Sequence, residues 1–374
     1  MKRYIFLLLL LVPVFTFADP LYSPTWGFFI DLPEGYDYID GDGKNRFSFE
    51  GPGEAMFDLV VYDGVFNSMT DLINDVNKKL GNNGEVDFFD YSNKQAAVIE
   101  LNFGSAAGWG LCVELSAVNA GLQPPMLLAL AYGPADREDL GLLHISALDS
   151  ICPSMEERFY PGPVIEYSYP RGEIKPVTLT GGVSAVIREN DPQAAQVLIE
   201  REFQILQLYA NTPYWQQAWI RYYRFIYRDS YDRITNPVMA LVMNWGGYNF
   251  SADEEKREFA QKALTYIQNF KYERDLQGSD FLNLVNVVVE NRGNCDNFSM
   301  LWAIILSHTG IRSGMMVSRQ FGHAMGLADI PGSGARFETE GIKWLVAETT
   351  DKVEIGLIAQ EQSDPQYWFG VIFD

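Results

Sequence analysis

Cysteine and histidine are both scarce in this chain of 374 residues, which contains three of each at widely separated positions. Zinc fingers and zinc ribbons require closely spaced pairs of these ligands, so both classes are excluded. The sequence also lacks the acidic loop motif of an EF-hand calcium site. We therefore expect neither a bound metal nor a cofactor.

Basic residues are also in short supply. The sequence has 28 Lys and Arg against 49 Asp and Glu, which gives a formal net charge of −21. Nucleic acids and anionic membrane surfaces bind basic patches, and this composition offers none. We therefore expect an acidic globular protein with no nucleic-acid partner. The chain is longer than a domain with a single hydrophobic core usually is, so two domains are expected.

Long apolar runs are missing except near the N-terminus, where Ile5 to Phe17 is almost uninterrupted and two basic residues precede it. This run is shorter than the roughly 20 residues that span a bilayer. Thr16 and Ala18 provide small residues at the two positions that define a signal-peptide cleavage site. The pattern predicts a signal peptide at residues 1–18, cleaved after Ala18, and a periplasmic or secreted mature protein without a membrane span. An uncleaved anchor is the alternative.

Export would place the cysteines in an oxidising compartment, where an odd number requires an explanation. Cys112 and Cys152 both lie in the first half of the chain and could form a disulfide. They could also be two buried thiols, because free cysteine packs like a small apolar residue. In either case Cys295 has no evident partner, which is the first indication that it remains a thiol for a reason.

Residues 19–155 have the pattern of a small mixed domain. Short apolar segments separated by Gly and Pro predict strands, and two segments with apolar residues at helical spacing predict helices. The predicted strands are 28–30, 46–49, 57–61, 96–103, 110–118 and 126–132, and the predicted helices are 70–80 and 138–151. His144 lies on the apolar side of the second helix and is interpreted as a core residue.

The order of these elements resembles that of PsbP-like α/β sandwich domains. The resemblance also rests on two phrases, Gly27…Leu32-Pro33-Glu34-Gly35-Tyr36 and Leu148-Asp149-Ser150-Ile151. It implies an antiparallel sheet with two helices. Because this region contains no catalytic cluster, its expected role is docking or regulation.

Prolines are concentrated directly after this region. Five lie between residues 153 and 176, and proline lacks the N–H group that helices and central strands need. Residues 156–190 are therefore predicted to form an extended connector that ends in a strand. A helix is predicted at 191–209, followed by an aromatic-rich segment at 214–231. That segment is interpreted as a helix packed against its neighbours, with a sugar-stacking platform as the alternative.

The residues that can perform chemistry are concentrated around Cys295. One apolar helix is predicted to end near Asn291, and a second begins at Cys295 or one residue before it. The cysteine therefore lies at a helix N-terminus. The unpaired N–H groups and the positive end of the helix dipole favour a thiolate there, and the same N–H groups can stabilise an oxyanion.

Asp296 adds negative charge beside this thiol, so a cation is needed nearby. His323 lies on a predicted strand, and Glu348 ends a further predicted strand. A carboxylate in that position can hold the imidazole in the required tautomer. The order of these residues along the chain therefore predicts Cys295 as the nucleophile, His323 as the general base and Glu348 as the orienting acid. His308, at a helix C-terminus, is interpreted as a surface residue favoured by the helix dipole.

These residues occur in four phrases: Tyr266-Ile267-Gln268-Asn269-Phe270-Lys271-Tyr272, Arg292-Gly293-Asn294-Cys295-Asp296, Gly322-His323-Ala324 and Trp344…Glu348-Thr349-Thr350. Over residues of about 253–358 the chain resembles the transglutaminase-like branch of papain-like thiol enzymes. The resemblance implies a Cys–His–Asp triad on an α+β core, which Cys295 and His323 match. Glu348 stands where the family most often has Asp. The resemblance further implies that Gln268 donates a side-chain hydrogen bond to the oxyanion.

The predicted fold class is α+β, with a small α/β sandwich at 19–155, the connector at 156–190 and a transglutaminase-like, papain-like domain at 191–374. The predicted function is an exported cysteine enzyme that cleaves or transfers an amide bond of a protein or peptide substrate through a thioester. The sequence does not decide between hydrolysis and transfer, or the oligomeric state. Two alternatives remain: a catalytically silent fold that binds proteins in the periplasm, and a carbohydrate-active protein.

Overall fold

The computed structural model describes residues 20–116, 123–275 and 278–373. The predicted signal peptide and its cleavage site lie outside these residues. The described part is an α+β protein, which confirms the predicted fold class.

Its α-helices are α1 (Met69–Leu80), α2 (Gly141–Asp149), α3 (Pro163–Ser168), α4 (Asp191–Tyr209), α5 (Trp215–Arg233), α6 (Thr235–Asn244), α7 (Asp253–Ile267), α8 (Leu284–Glu290) and α9 (Cys295–Ser307). Its strands are β1 (Leu21–Tyr22), β2 (Phe29–Ile30), β3 (Asp37–Gly41), β4 (Arg46–Glu50), β5 (Met56–Tyr62), β6 (Val86–Tyr91), β7 (Lys94–Phe103), β8 (Ala106–Glu114), β9 (Met126–Pro134), β10 (Ile174–Leu179), β11 (Val183–Arg188), β12 (Lys271–Tyr272), β13 (Arg292–Gly293), β14 (Ser313–Ser318), β15 (His323–Ala328), β16 (Arg336–Thr339), β17 (Ile342–Ala347) and β18 (Phe369–Ile372). Short 3₁₀ helices occur at Pro52–Glu54, Glu138–Leu140, Glu157–Phe159, Gln360–Gln362 and Pro365–Tyr367.

A seven-stranded antiparallel sheet forms the N-terminal half, in the order β3-β4-β5-β9-β8-β7-β6. Side chains alternate between the two faces of a strand. On β7, Ala97 and Ile99 join an apolar cluster that includes Leu72 of α1, whereas Ala96 and Val98 join the main core on the opposite face. Helix α2 covers that opposite face, packed against β8 and β9. The sheet therefore has a helix on each face, and both helices predicted for this region are formed.

The connector predicted to be extended is partly helical instead. Helix α3 begins at Pro163, because the first turn of a helix does not require the missing N–H group. The buried carboxylate of Asp149 satisfies the next N–H groups, with Oδ1 2.9 Å from the Val164 nitrogen and 3.0 Å from the Ile165 nitrogen. A β-carbon on Gly162 would lie 2.1 Å from that oxygen, so glycine is required. After α3, β10 and β11 form an antiparallel hairpin.

Helices α4 and α5 lie between the N-terminal half and the C-terminal sheet, because α4 contacts α2 and α5 contacts β18. The aromatic-rich segment forms α5, and Tyr222, Tyr223, Phe225 and Tyr227 are all at least 97% buried. Packing, rather than a sugar platform, therefore accounts for most of these aromatic side chains. Within the described ranges, no helix has both the length and the apolar character to cross a bilayer.

Buried arginines of α4 and α5 join the two halves. Nη2 of Arg201 lies 2.7 Å from Oδ2 of Asp149. Arg221 donates to the main-chain carbonyl of Asp31 at 2.7 Å. Arg228 donates to the carbonyl groups at and just after the end of α2. The main apolar core is also continuous from the large sheet to α9, so the halves share one interior.

The C-terminal sheet is antiparallel and has the order β16-β17-β15-β14-β18. Helix α9 packs across β14 and β15. A β-carbon on Gly326 of β15 would lie 2.5 Å from the Trp302 ring of α9, so glycine permits this close contact. Nε1 of Trp302 also donates to the Ala260 carbonyl of α7 at 3.0 Å. These contacts hold the helix that begins at Cys295 against the strand that begins at His323.

All three cysteines are free and buried, so the disulfide considered for Cys112 and Cys152 is not formed. Cys112 lies in the cluster beneath α1. Cys152 follows α2, on the opposite side of the sheet, where it forms a β-bridge with Phe29. Because the sheet separates the two thiols, they cannot reach the Cα separation of about 5.5–6 Å that a disulfide needs.

Candidate active site

Cys295 is the first residue of α9 and is only 5% exposed. Asn294 and Asn297 form a reciprocal cap at the start of the helix. Oδ1 of Asn294 accepts a hydrogen bond from the main-chain N–H group of Asn297 at 3.1 Å, and Oδ1 of Asn297 accepts one from the main-chain N–H group of Asn294 at 3.0 Å. The main-chain bond from Phe298 to Asn294 closes the first helical turn. The N–H groups of Cys295 and Asp296 precede that bond, so the helix does not use them. They are positioned to bind negative charge beside the thiol.

Glu348 directly follows β17 and is held by two neighbours. Its Oε2 lies 2.8 Å from Nε2 of His323. Its Oε1 accepts from the N–H group of Thr350 at 2.7 Å and from the Thr350 hydroxyl at 2.6 Å. Burial raises the pKa of Glu348, but the bonds with His323 and Thr350 outweigh burial and lower it. The side chain is therefore an anion fixed in one orientation.

His323 bridges the thiol and the carboxylate. Because Nε2 faces Glu348, Nδ1 is the ring nitrogen left for the hydrogen bond between the ring and Cys295. Burial lowers the pKa of His323, but the bonds with Cys295 and Glu348 outweigh it and raise the pKa to about 10. The ring is therefore protonated at neutral pH. It supplies the cation that the charge of Asp296 requires, and the structure brings all three predicted triad residues together.

Gln268 does not have the role that the resemblance implied. Its Nε2 donates to the carbonyl of Glu348 at 2.9 Å and to the carbonyl of Val353 at 3.0 Å. An amide nitrogen has two protons, so neither remains for an oxyanion. Gln268 instead fixes the main chain that carries the orienting acid.

Tyr272 is a site residue that the sequence analysis did not assign. It ends β12, which pairs in parallel with β13 so that Tyr272 lies opposite Gly293, two residues before Cys295. Burial, the adjacent Cys295 and a hydrogen bond with its sulfur raise the pKa of Tyr272 to about 12. The hydroxyl therefore keeps its proton and can donate beside the thiol. A strand of two residues has no periodicity, so only the family phrase containing Gln268 pointed to this segment.

Asp296 directly follows Cys295 and is not one of the three predicted triad residues. Burial raises its pKa to about 6, although the Tyr223 hydroxyl donates to its carboxylate and the charges of His323 and Arg274 lower the value. Near neutral pH the carboxylate is mostly ionised and opposed by these two cations.

Two cavities adjoin the start of α9. The small pocket, of about 330 Å³, is lined by His323 and Asp296. The large cleft, of about 970 Å³, is lined by Gly293 and Asn297 at the start of α9. Arg274 lines both cavities. Both cavities are therefore lined by residues that flank Cys295 in the chain.

The other two histidines differ from His323 in their surroundings. His144 is buried, as predicted, and burial lowers its pKa to about 4. His308 was predicted at the surface, but it is half-buried, with its ring stacked on Tyr231 at 4.0 Å between centroids and Nε2 2.9 Å from the Thr235 hydroxyl oxygen. Burial lowers its pKa as well. The protein thus has one strongly basic histidine among three.

We expect an NMR titration of the Cε1–H signals to show the difference in pKa among the three histidines directly. His323 should titrate with a midpoint of about 10 and His144 with a midpoint of about 4, whereas His308 should titrate below the ordinary value of about 6.5. Cys295→Ala removes one of the groups that raise the pKa of His323, so it should lower that midpoint alone. A midpoint of His323 near the ordinary value in the wild type would contradict the bridged geometry.

No group of three or more His, Cys, Asp or Glu side chains in the described residues is arranged to hold a metal ion. No protein-family model and no curated protein matches this chain. Among solved structures, the chain is similar to one from Bacteroides thetaiotaomicron, with 12% identity over 61% of this chain and 79% of the other, and a TM-score of 0.24. A similarity this weak assigns neither a family nor an activity.

Proposed function

We propose that this chain is an exported thiol-dependent enzyme of transglutaminase-like type that acts on amide bonds of peptide or protein substrates. The observation that carries the proposal is the position of His323. Its ring contacts Cys295 and lies 2.8 Å from Glu348, in the order that a nucleophile, a proton carrier and an orienting acid require.

In the proposed reaction, the Cys295 sulfur attacks the carbonyl carbon and a C–S bond forms. The charge that develops on the carbonyl oxygen is stabilised by the Cys295 N–H group and by the Tyr272 hydroxyl. The protonated His323 gives its proton to the leaving nitrogen as the C–N bond breaks. A water molecule or an amine then loses a proton to His323 and attacks the thioester, which releases the thiolate.

Hydrolysis is the simpler outcome, because water needs no second binding site. Transfer to an amine requires that a second substrate reach the thioester. The large cleft and the small pocket are lined by residues that flank Cys295 in the chain, which gives room for a peptide substrate. We therefore assign hydrolysis of a peptide or protein amide as the primary activity.

The proposal is tested by the pH dependence of alkylation with iodoacetamide, followed by peptide mapping. In the wild type, Cys295 should react faster at pH 6 to 8 than in His323→Ala, because the protonated imidazole of His323 favours the thiolate. In His323→Ala, the rate at Cys295 should rise about tenfold per pH unit below the pKa of about 8.5 that an ordinary thiol has. Cys112 and Cys152 serve as controls in the same digest, because burial raises the pKa of both thiols.

If Cys295 follows the same ordinary-thiol profile in the wild type and in His323→Ala, the triad does not operate as a catalytic unit. The protein-binding alternative would then replace the enzymatic one.

A further inference from the structure

The small pocket beside His323 contains a cation that the triad does not use. Arg319 lies in the turn between β14 and β15, directly after Ser318, which pairs with His323 across the two strands. Its guanidinium carbon lies 5.7 Å from the ring centroid of Trp215. The same pocket is lined by His323 and Asp296, so Arg319 is placed along a wall that adjoins the reacting groups.

Arg319 differs from the other charged residues in and around this pocket, because each of those faces a group of opposite charge. Nη2 of Arg274 lies 2.6 Å from Oδ2 of Asp280, and His323 is paired with Glu348. Asp296 is opposed by His323 and Arg274. Among the described residues, no carboxylate forms an ion pair with Arg319. The pocket wall therefore carries a guanidinium that is available to a carboxylate of a ligand, in a chain whose formal net charge is −21.

The walls of the pocket limit what that charge can bind. Trp215, Trp219 and Phe369 provide apolar surface, which suits the methylene stem of a side chain. A volume of about 330 Å³ is at the lower end of the range for small-molecule sites, and is enough for one large side chain. An arginine held over an aromatic ring recognises a carboxylate well, because its planar donors match the two carboxylate oxygens.

We infer that the small pocket binds an acidic side chain of the substrate and that Arg319 determines this specificity. The inference rests on the proposed function, and it names the substrate class as peptides with Glu or Asp next to the reacting amide. A strongly acidic protein repels such substrates in general. A local unpaired arginine is what allows an acidic peptide to approach the nucleophile.

The test uses matched pairs of acetylated peptidyl chloromethyl ketones, in which Glu or Gln occupies the first or second residue before the reactive carbon. Each reagent alkylates Cys295 with loss of chloride, and the second-order rate constant is measured by peptide mapping. In the wild type, one Glu reagent should react about fivefold faster than its Gln partner, the size expected of a partly exposed ion pair. Arg319→Gln should reduce this ratio to about one, and Arg319→Lys should retain part of it.

Arg188→Gln is the matched control, because Arg188 is an exposed arginine on β11, outside the residues that line the pocket. It should keep the wild-type ratio. An absent preference in both pairs, or a preference that persists in Arg319→Gln, would overturn the inference. Failure of the catalytic proposal gives a different result: Cys295 would show the alkylation profile of an ordinary thiol, while the ratio of the paired reagents could still be measured.

Discussion

Replacing Asp149 with Ala is expected to lower the free energy of unfolding by about 3–5 kcal/mol, the usual effect of breaking a buried ion pair by removing one partner. The side chain of Asp149 is fully buried. Its loss leaves Arg201 without one of its two carboxylate partners and leaves the N–H groups of Val164 and Ile165 without an acceptor. One substitution therefore disturbs α2, α3 and α4 together.

Equilibrium unfolding in urea, followed by far-UV circular dichroism, measures this effect. Asp139→Ala is the matched control, because Asp139 forms an exposed pair with Arg137 and its removal should leave the midpoint unchanged. Asp149→Asn keeps an acceptor for the two N–H groups but loses the charge, so it should lie between Asp149→Ala and the wild type. Equal midpoints for Asp149→Ala and Asp139→Ala would show that the buried pair does not stabilise the junction.

Glu348→Gln is expected to slow acylation of Cys295 by p-nitrophenyl acetate about 10- to 100-fold at pH 7. Glu348 raises the pKa of His323 through a charge-assisted hydrogen bond, and such bonds contribute about 1.5–3 kcal/mol, which corresponds to this range of rates. An uncharged amide holds the imidazolium less well, so the thiolate loses its partner. The pH at which activity falls on the alkaline side should also move below the value of about 10 set by His323.

The burst of p-nitrophenolate in a stopped-flow experiment gives the acylation rate, after subtraction of the signal of Cys295→Ala. Glu348→Asp retains the charge and should lose less activity than Glu348→Gln. Glu338→Gln, at an exposed position of β16, should react like the wild type. A burst in Glu348→Gln as fast as that of the wild type would mean that His323 does not need an orienting acid.

The features that depend on neighbouring residues in the chain were the ones that the sequence predicted best. The start of α9 at Cys295 follows from the polar cap before it and the apolar helix after it, and the alternation of the strands predicted most of the large sheet. His323 and Glu348 were selected from their places on predicted strands, and the family resemblance then supported their pairing with Cys295, because strand patterns alone do not pair residues that are far apart in the chain. Those features were enough to select the three residues that the structure brings together, Cys295, His323 and Glu348.

Roles that depend on tertiary contacts could not be predicted in this way. The amide of Gln268 is occupied by a carbonyl 80 residues further along the chain, and no local pattern reveals which carbonyls an amide will face. The helix α3 was missed because the acceptor for its first N–H groups is supplied by Asp149 from another element. Arg319 carries no sequence signal, since the absence of a carboxylate partner exists only in three dimensions.

The arginines of α4 and α5 have a consequence for the stability of this protein. Arg201 and Arg221 find partners in Asp149 and Asp31 of the N-terminal half. Proteolytic removal of that half would leave these guanidinium groups facing an exposed apolar core. The N-terminal half is thus part of the scaffold that supports α4 and α5, and its removal is expected to destabilise the remaining chain.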